Sequence, residues 1–297
     1  MTAALRIGYI GLGDIGAPMA ERIAAAGWPL SVWNRTPEKM QPLLAAGAQA
    51  ASSPAEIAET CDVIFTCLGS VSAMHDVMSG ECGLLRASPS KARLLVDNST
   101  VPPADAMNLA SQLADASIHY VDAPVSGGAI GARAGTLAVM VGGDRQDVAL
   151  AKPVLQSFAS KITHLGPVGS GQAMKACNQV LNFGTMAALA EAVTLGRRYG
   201  LAPNMIVDAV AGGFAESNVS REFGRSLDAD DASPIRLLVE TLDDYYRGTV
   251  RKDLAGNLDI LMKDLAMALD MARTRGVPLP VISHFDSVFR MIQHLET

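Results

Sequence analysis

Short apolar runs alternate with longer helical patterns along the first half of the chain. The strand candidates are Arg6–Ile10, Leu30–Trp33, Val63–Leu68, Leu94–Asp97, Tyr120–Ala123, Leu137–Val141 and Ile162–Leu165. Helical spacing of apolar residues follows the first two of them, over Ala17–Ala26 and Pro37–Ala46. Strands that are apolar on both faces and separated by helices are typical of a parallel sheet with helices on each side.

The pattern changes after Gly171, where helical periodicity replaces strand alternation. One long helix is predicted from Ala173 to Tyr199. Shorter helices are predicted over Asn204–Ala211, Pro234–Tyr246, Leu254–Thr274 and Pro280–His294. The sequence therefore predicts an α/β fold, with an N-terminal Rossmann doubly wound domain over residues 1–168. A long interdomain helix, about 171–199, joins it to an all-α C-terminal domain over residues 169–297.

Composition and charge restrict the classes of partner. The 297 residues are 49% hydrophobic and carry a net charge of −6 without a Lys/Arg-rich run, so neither nucleic acid nor an anionic membrane surface is an expected partner. The chain has no uninterrupted stretch of about 18 apolar residues and enters a strand candidate by Arg6, so neither a membrane span nor a signal peptide is expected. The cysteines form no C-x-x-C pair and are interpreted as reduced, mostly buried residues of a cytoplasmic protein. They are Cys61, Cys67, Cys82 and Cys177.

A glycine-rich hexamer lies between the first strand candidate and the first helix. It reads G-x-G-x-x-G and consists of Gly11, Leu12, Gly13, Asp14, Ile15 and Gly16. Gly11 allows a tight turn, Gly13 lets the backbone approach a pyrophosphate, and Gly16 lets the helix pack closely on the strand. The N–H groups at the start of the helix attract the anion. The hexamer therefore predicts a dinucleotide site, with an ordinary glycine turn as the alternative.

The residues after the second strand favour NADP(H) over NAD(H). An NAD-specific site usually has Asp or Glu there, whereas this chain has Asn34, Arg35 and Thr36. Asn34 does not repel a 2′-phosphate, Arg35 pairs with it through charge-assisted hydrogen bonds, and Thr36 adds a hydroxyl donor. NAD(H) stays possible if Arg35 is only a solvated loop residue. Leu68, at the end of the third strand candidate, is assigned to the same cofactor site.

Two later segments supply candidate chemistry. Asp122-Ala123-Pro124-Val125-Ser126-Gly127-Gly128 follows the fifth strand candidate, at the edge where doubly wound sheets bind ligands. The Ser126 hydroxyl and the N–H groups of Gly127 and Gly128 suit a substrate carboxylate. Lys175 and Asn178 lie three residues apart and share a face of the long helix. Burial near a helix start is expected to lower the pKa of Lys175 and suit it to proton exchange, and a surface lysine is the alternative.

Four signatures occur in order along the chain. They are I-G-L-G-D-I-G-A-P-M-A at residues 10–20, D-A-P-V-S-G-G at 122–128, G-S-G-Q-A-M-K-A-C-N at 169–178, and K-D-L at 263–265. Together they resemble the β-hydroxyacid dehydrogenases, the family of 3-hydroxyisobutyrate dehydrogenase and the semialdehyde reductases. The resemblance covers nearly the whole chain.

The resemblance implies reversible hydride transfer between NADP(H) and a small β-hydroxyacid or semialdehyde that carries a carboxylate. It implies that Lys175 is the general acid/base, that Asn178 orients the substrate beside it, and that Ser126–Gly128 holds the carboxylate. It implies Thr100 between the nicotinamide and the substrate. It also implies that Lys263, supported by its neighbour in K-D-L, closes the cleft from the all-α domain.

Two features depart from the family pattern. A second K-D-L begins at Lys252, but only Lys263 is followed by a helix, a glycine and two prolines, so Lys263 is preferred. The segment Ser217–Arg251 is unusually charged. Its arginines suit either an acidic substrate or a solvated or interfacial face, and the latter is favoured. They include Arg221, Arg225, Arg236 and Arg247.

Two other functions remain open, an imine reductase of the same fold and a non-catalytic NADP-binding module. The first usually has Asp or Tyr at the position of Lys175, and the second is expected to have lost Lys175 or Asn178. The five histidines show no ligand spacing, so no metal site is expected. The long helix and the apolar all-α domain predict a homodimer or homotetramer, because a monomer would leave apolar surface uncovered.

Overall fold

The computed structural model describes residues 5–249 and 257–295. The chain divides into two units between Lys175 and Ala176. This division falls inside a long helix, whereas the predicted domain boundary at 168/169 precedes that helix and stays a prediction. The second K-D-L, beginning at Lys252, lies outside the described residues.

Nine strands of the described residues form one sheet in the first unit. They are β1 (Ile7–Ile10), β2 (Leu30–Trp33), β3 (Gln49–Ala50), β4 (Val63–Thr66), β5 (Leu94–Asp97), β6 (His119–Asp122), β7 (Val125–Ser126), β8 (Leu137–Gly142) and β9 (Ala159–Gly166). The order β3-β2-β1-β4-β5-β6 is parallel throughout. It is the doubly wound order, with its reversal between β1 and β4. The predicted parallel sheet is therefore confirmed for these six strands.

The last three strands depart from that parallel arrangement. β8 runs antiparallel to β6 and β7, and β9 pairs parallel with β8. The ten residues between Ser126 and Leu137 are fewer than the dozen or so that a parallel crossover needs, so β8 returns antiparallel. The prediction of a parallel sheet was wrong for this part of the unit.

Helices cover both faces of the sheet because its strands are apolar on both faces. Ile7 and Tyr9 of β1 pack into one buried cluster, and Ile10 packs into another. The helices are α1 (Gly16–Ala25), α2 (Gln41–Ala45), α3 (Pro54–Thr60), α4 (Val71–Ser79), α5 (Pro103–Asp115), α6 (Gly128–Ala134) and α7 (Arg145–Leu155). The helix predicted over Pro37–Ala46 is instead a 3₁₀ turn, Pro37–Met40, followed by α2, since Pro42 lacks an N–H to continue the turn into the helix.

The helix α8 (Ser170–Arg198) begins in the first unit and continues into the second. In the described part of the second unit it is followed by α9 (Pro203–Val210), α10 (Asn218–Asp228), α11 (Pro234–Tyr246), α12 (Asn257–Thr274) and α13 (Pro280–Leu295). Their apolar faces enclose a core that includes Phe183, Phe223, Leu238, Phe285 and Phe289. The predicted helical second half is confirmed, and α10 is an addition to it.

The cysteines correct one expectation. Cys61 is buried and Cys67 is half-buried, but Cys82 and Cys177 are exposed. The interpretation as mostly buried residues was therefore wrong, because the last two fall on solvent-facing positions. Among the described residues, none of the helices has the length and apolar character needed to span a membrane.

Candidate active site

The glycine turn after β1 has the backbone geometry that its three glycines allow. Gly11 has φ +98°, and a Cβ there would lie 2.3 Å from the carbonyl oxygen of Cys67. A Cβ at Gly16 would lie 2.1 Å from the carbonyl oxygen of Gly11, so the start of α1 approaches the end of β1 closely. At Gly13 a Cβ would meet no protein atom within 4 Å. Packing within the protein explains Gly11 and Gly16. The open surface at Gly13 instead fits a backbone that a ligand approaches.

A cavity of about 380 Å³ opens beside this turn, where the sheet order reverses. The predicted cofactor residues that line it are Gly11, Gly13, Asn34, Arg35, Thr36 and Leu68. The other members of the hexamer, Leu12, Asp14, Ile15 and Gly16, form the turn and the start of α1. A crevice at the carboxyl ends of strands, at a reversal of strand order, is where open α/β sheets bind nucleotides. The hydrogen-bond donors of Asn34, Arg35 and Thr36 and the open backbone at Gly13 fit a dinucleotide.

Asn34 connects two sides of this cavity. Its Oδ1 accepts a hydrogen bond from the N–H of Leu12 at 2.9 Å, and its Nδ2 donates to the carbonyl of Thr36 at 2.9 Å. The side chain therefore fixes the glycine turn to the loop after β2. Sequence reasoning considered only its lack of charge, because a hydrogen bond across 22 positions carries no local signal.

Lys39 is a cavity residue that sequence reasoning missed. It lines the cavity with Arg35 and Thr36, and all three are exposed. Lys39 lies in the 3₁₀ turn that follows Thr36, and the turn brings a second cation to the Arg35 end of the cavity. Its spacing of four residues from Arg35 was the available signal.

Asp122, at the end of β6, holds the beginning of α8. Its Oδ1 accepts from the N–H of Gly169 at 2.8 Å, and its Oδ2 accepts from the N–H of Gln172 at 2.9 Å. The carboxyl group is fully buried, and burial raises its pKa to about 6 although the two backbone donors act in the opposite direction. A Cβ at Gly171 would lie 2.8 Å from Oδ2, so only glycine fits beside this carboxylate.

The predicted carboxylate-binding residues lie at a strand end. Ser126 ends β7, and Gly127 and Gly128 follow with φ +131° and +60°. Gly128 is the first residue of α6, and a Cβ there would meet no protein atom within 4 Å. The backbone at this point is therefore open to an approaching group.

Lys175 is buried rather than exposed, so the alternative of a surface lysine is wrong. Its Nζ donates to the carbonyl oxygen of Val125 at 3.0 Å. This contact brings the ammonium to the residue next to Ser126, so these two predicted site residues belong to one neighbourhood. Thr100 lies in the segment after β5, and its flanking peptide groups are held by the buried amide of Gln172.

The two remaining predicted site residues, Asn178 and Lys263, lie in the second unit. The Nδ2 of Asn178 donates to Oε1 of Gln179 at 3.0 Å, and Nε2 of Gln179 donates to Oδ2 of Asp264 at 2.9 Å. Lys263 lies 3.6 Å from the Asp264 carboxylate. Asp264 thus ties the K-D-L segment of α12 to α8 within this unit.

Four arginines of the charged segment, all within the residues that the structure describes, are ion-paired inside the second unit. Each contacts at least one carboxylate that is near it in sequence, which supports the solvated-face interpretation over recognition of an acidic substrate. The pairs are Arg221 with Glu216, Arg225 with Glu222 and Asp231, Arg236 with Asp230 and Glu240, and Arg247 with Asp243 and Asp244. The described residues contain no group of three side chains suited to a metal ion.

Two family models match the chain. The NAD-binding domain of 6-phosphogluconate dehydrogenase matches residues 6–166, and the NAD-binding domain of NADP-dependent 3-hydroxyisobutyrate dehydrogenase matches residues 169–239. Both describe proteins that bind a nicotinamide cofactor. With the cavity at the sheet reversal, they define the chain as a nicotinamide-dependent oxidoreductase.

Known relatives cover almost the whole chain. Mitochondrial 3-hydroxyisobutyrate dehydrogenase of Mus musculus is 34% identical over 98% of this chain and 83% of its own length. The 2-(hydroxymethyl)glutarate dehydrogenase of Eubacterium barkeri is 33% identical over 97% and 89%. The solved structure of Mycobacterium tuberculosis 3-hydroxyisobutyrate dehydrogenase with L-serine has a TM-score of 0.74 and 29% identity over 97% and 93%. The chain belongs to the β-hydroxyacid dehydrogenase family, which confirms the resemblance of its four signatures.

As a member of this family, the protein is a hydroxyacid dehydrogenase. The mouse and E. barkeri relatives, both above 30% identity, are named as dehydrogenases of hydroxyacids, so neither the imine reductase nor the non-catalytic module is favoured.

Proposed function

We propose that the protein interconverts a small β-hydroxyacid and the corresponding semialdehyde, with NADP(H) as the preferred cofactor. The observation that carries this proposal is the contact of the buried Lys175 Nζ with the Val125 carbonyl, one residue from Ser126. An ammonium held at this place can exchange a proton with a substrate oxygen while Ser126 and the N–H groups of Gly127 and Gly128 bind a carboxylate. The relatives of mouse and E. barkeri, named for carboxylate-bearing hydroxyacids, support the substrate class.

Each predicted residue has one role in the proposal. Lys175 gives its proton to the developing alkoxide during reduction and takes it back during oxidation. Thr100 contacts the reacting groups, and Asn178 and Lys263 keep the roles that the family resemblance implies for them. A bound nicotinamide exchanges the hydride at its ring carbon. Binding of the carboxylate orients the reacting carbon of the substrate toward the hydride and toward Lys175. Such orientation by itself supplies a large part of a rate enhancement.

The preference for NADP(H) rests on charge at one end of the cavity. Arg35 and Lys39 are both exposed there, and Asn34 stands directly after β2, where NAD-specific sites usually have a carboxylate. Two cations and the Thr36 hydroxyl suit a 2′-phosphate, and Asn34 is occupied in holding the loop.

The proposal also assigns a role to each domain and a location in the cell. The residues of the Rossmann domain bind NADP(H), and the all-α domain contributes to substrate binding and to a homodimer or homotetramer. We propose a cytoplasmic location, and the mitochondrial location in the name of the mouse relative belongs to that protein.

The first experiment measures initial rates with both nicotinamide cofactors. Oxidation of 3-hydroxyisobutyrate and 2-(hydroxymethyl)glutarate is assayed with NADP⁺ and NAD⁺. Reduction is assayed with glyoxylate, with succinic, tartronic and methylmalonic semialdehydes, and with one cyclic imine. Turnover of at least one hydroxyacid or semialdehyde, faster with the phosphorylated cofactor, is expected. Turnover of the imine alone would contradict the proposed reaction.

Lys175→Ala tests the proton-transfer role. The variant is expected to lose roughly 10²–10⁴ in kcat, which is the usual contribution of a general acid/base, while its affinity for NADPH stays unchanged. Lys161→Ala removes an exposed lysine of β9 and is the matched control, expected to retain the rate. A Lys175→Ala enzyme with the kcat of the control would contradict the assignment.

A further inference from the structure

Gln172 holds the backbone on both sides of Thr100. Its side chain is fully buried, its Nε2 donates to the carbonyl of Ser99 at 2.8 Å, and its Oε1 accepts from the N–H of Val101 at 3.2 Å. The two hydrogen bonds use both ends of one amide. The conformation of the segment that presents Thr100 therefore depends on this single side chain.

The helical turn that carries Gln172 is itself fixed. The N–H of Gln172 donates to Asp122, and a Cβ on Gly171 would lie 2.4 Å from the carbonyl oxygen of Met140. Such a close approach leaves the start of α8 little freedom to shift against the ends of β6 and β8. Lys175 follows Gln172 by three residues and lies on the same face of the helix.

Ser99 extends this connection to the cofactor cavity. Its Oγ accepts a hydrogen bond from the N–H of Leu68 at 2.8 Å, and Leu68 lines the cavity. One continuous set of hydrogen bonds thus joins the loop after β4, the segment of Thr100, and the helix of Lys175. Gln172 is the member that crosses from the segment to the helix.

We propose that Gln172 is a positioning residue for hydride transfer, which it supports by holding Thr100 in register with Lys175. This inference rests on the proposed roles of Thr100 and Lys175. Gln172 itself contacts backbone groups and is not assigned a catalytic role. Removing its amide leaves the Ser99 carbonyl and the Val101 N–H without their buried partner, so the segment rearranges. A displacement of about 1 Å in an active site can cost on the order of 10² in rate.

Gln172→Met tests the inference, since it keeps the length of the side chain and removes both hydrogen bonds. Single-turnover oxidation of 3-hydroxyisobutyrate by an excess of the enzyme with NADP⁺, or of whichever panel substrate reacts fastest, is followed by absorbance of the reduced nicotinamide. We expect the rate constant to fall about 10- to 100-fold while its amplitude and the Kd for NADP⁺ stay unchanged. The rate constant is the limiting value reached at saturating enzyme. A merely structural role would leave this limiting rate constant unchanged and would raise the enzyme concentration needed for half of it, because fewer molecules would be active.

Thr194→Val is the matched control on the same helix. It removes a hydrogen bond of 2.9 Å to the buried Asp243 in the second unit and leaves the Thr100 segment untouched. Its rate constant is expected to equal that of the wild type even where its thermal stability falls.

A shorter amide keeps the test informative if Gln172→Met does not fold. Gln172→Asn retains the polar group but loses one methylene, so it cannot reach Ser99 and Val101 together, and an intermediate rate constant is expected. A wild-type rate constant in a folded Gln172 variant would overturn the inference alone. Absence of hydride transfer by the wild type across the panel would instead overturn the proposed function.

Discussion

At the scale of single residues, the choice between the two nicotinamide cofactors depends on Arg35 and Lys39. Arg35→Ala is expected to weaken NADPH about 10- to 100-fold, because a hydrogen bond to a charged group contributes roughly 1.5–3 kcal/mol. Adding Lys39→Ala is expected to weaken it further, while NADH affinity changes little in either variant. Fluorescence titration of both reduced cofactors measures this.

A surface arginine of the same unit provides the comparison for that experiment. Arg93→Ala removes an exposed guanidinium outside the cavity and is expected to leave both affinities unchanged. If Arg35→Ala weakened NADH as much as NADPH, the pairing with a 2′-phosphate would be refuted.

The same scale shows where prediction from sequence ends. The identities of Arg35 and Lys175 carry their chemistry with them, so both were predicted from residue type and spacing. The bridging roles of Asn34 and Gln172 were not, since their partners lie 22 and more than 70 positions away. Such contacts follow from the packing of strand ends, and no periodicity along the chain indicates them.

At the scale of elements, the start of α8 is linked to the ionisation of Asp122. Its pKa is raised by burial from the ordinary 3.8 to about 6, so the native state holds this proton more tightly than the unfolded chain does. The contribution of Asp122 to the free energy of unfolding is therefore fully present below pH 3.8 and is lost as the pH rises through 6.

Asp122→Asn tests this linkage because it removes the titration. The free energy of unfolding of the wild type, relative to that of the variant, is expected to fall by on the order of 2–3 kcal/mol between pH 4 and pH 7. Denaturant titrations of both proteins across this interval measure the difference, and other ionisable groups largely cancel from it. A difference that stays constant would contradict the linkage.

Elements with a strong hydrophobic period were predicted well, and short ones were not. Leu30–Trp33 and Leu94–Asp97 are strands with the predicted bounds, because each is a buried run between polar turns. The two-residue strands β3 and β7 are too short to show a period. The antiparallel return of β8 depends on the length of the connection after Ser126, which strand patterns alone do not reveal.

At the scale of the whole molecule, the sequence separated a strand-containing half from a helical half, because the change in period after Gly171 is strong. The two family models match residues 6–166 and 169–239, and they meet close to that change. The helix α8 serves both parts, with Gln172 and Lys175 in the first unit and Asn178 in the second. A boundary drawn from composition alone precedes this helix, although the compact units divide within it.

The exposed side of α8 carries an apolar stripe, which supports the expected oligomer. Leu181 and Leu195 are each more than 60% exposed, and their spacing of 14 residues places them on one face of the helix, along with the exposed Ala188 and Ala192. The exposed Tyr199 directly follows the end of the helix. A contiguous apolar face on a surface helix is typical of an association site. Copies of the chain related by symmetry would cover the stripe with the same stripe of a partner.

Light scattering at micromolar concentration tests this expectation. The wild type is expected to have at least twice the chain mass of 31.0 kDa, and Leu195→Asp is expected to lower the measured mass by introducing a charge into the stripe. Met107→Asp places the same charge on an exposed apolar residue of α5 and is expected to leave the mass unchanged. A monomeric wild type would refute the oligomer, and equal effects of the two substitutions would refute the role of the stripe. Retention of activity by monomeric Leu195→Asp would further show that one chain supplies a complete active site.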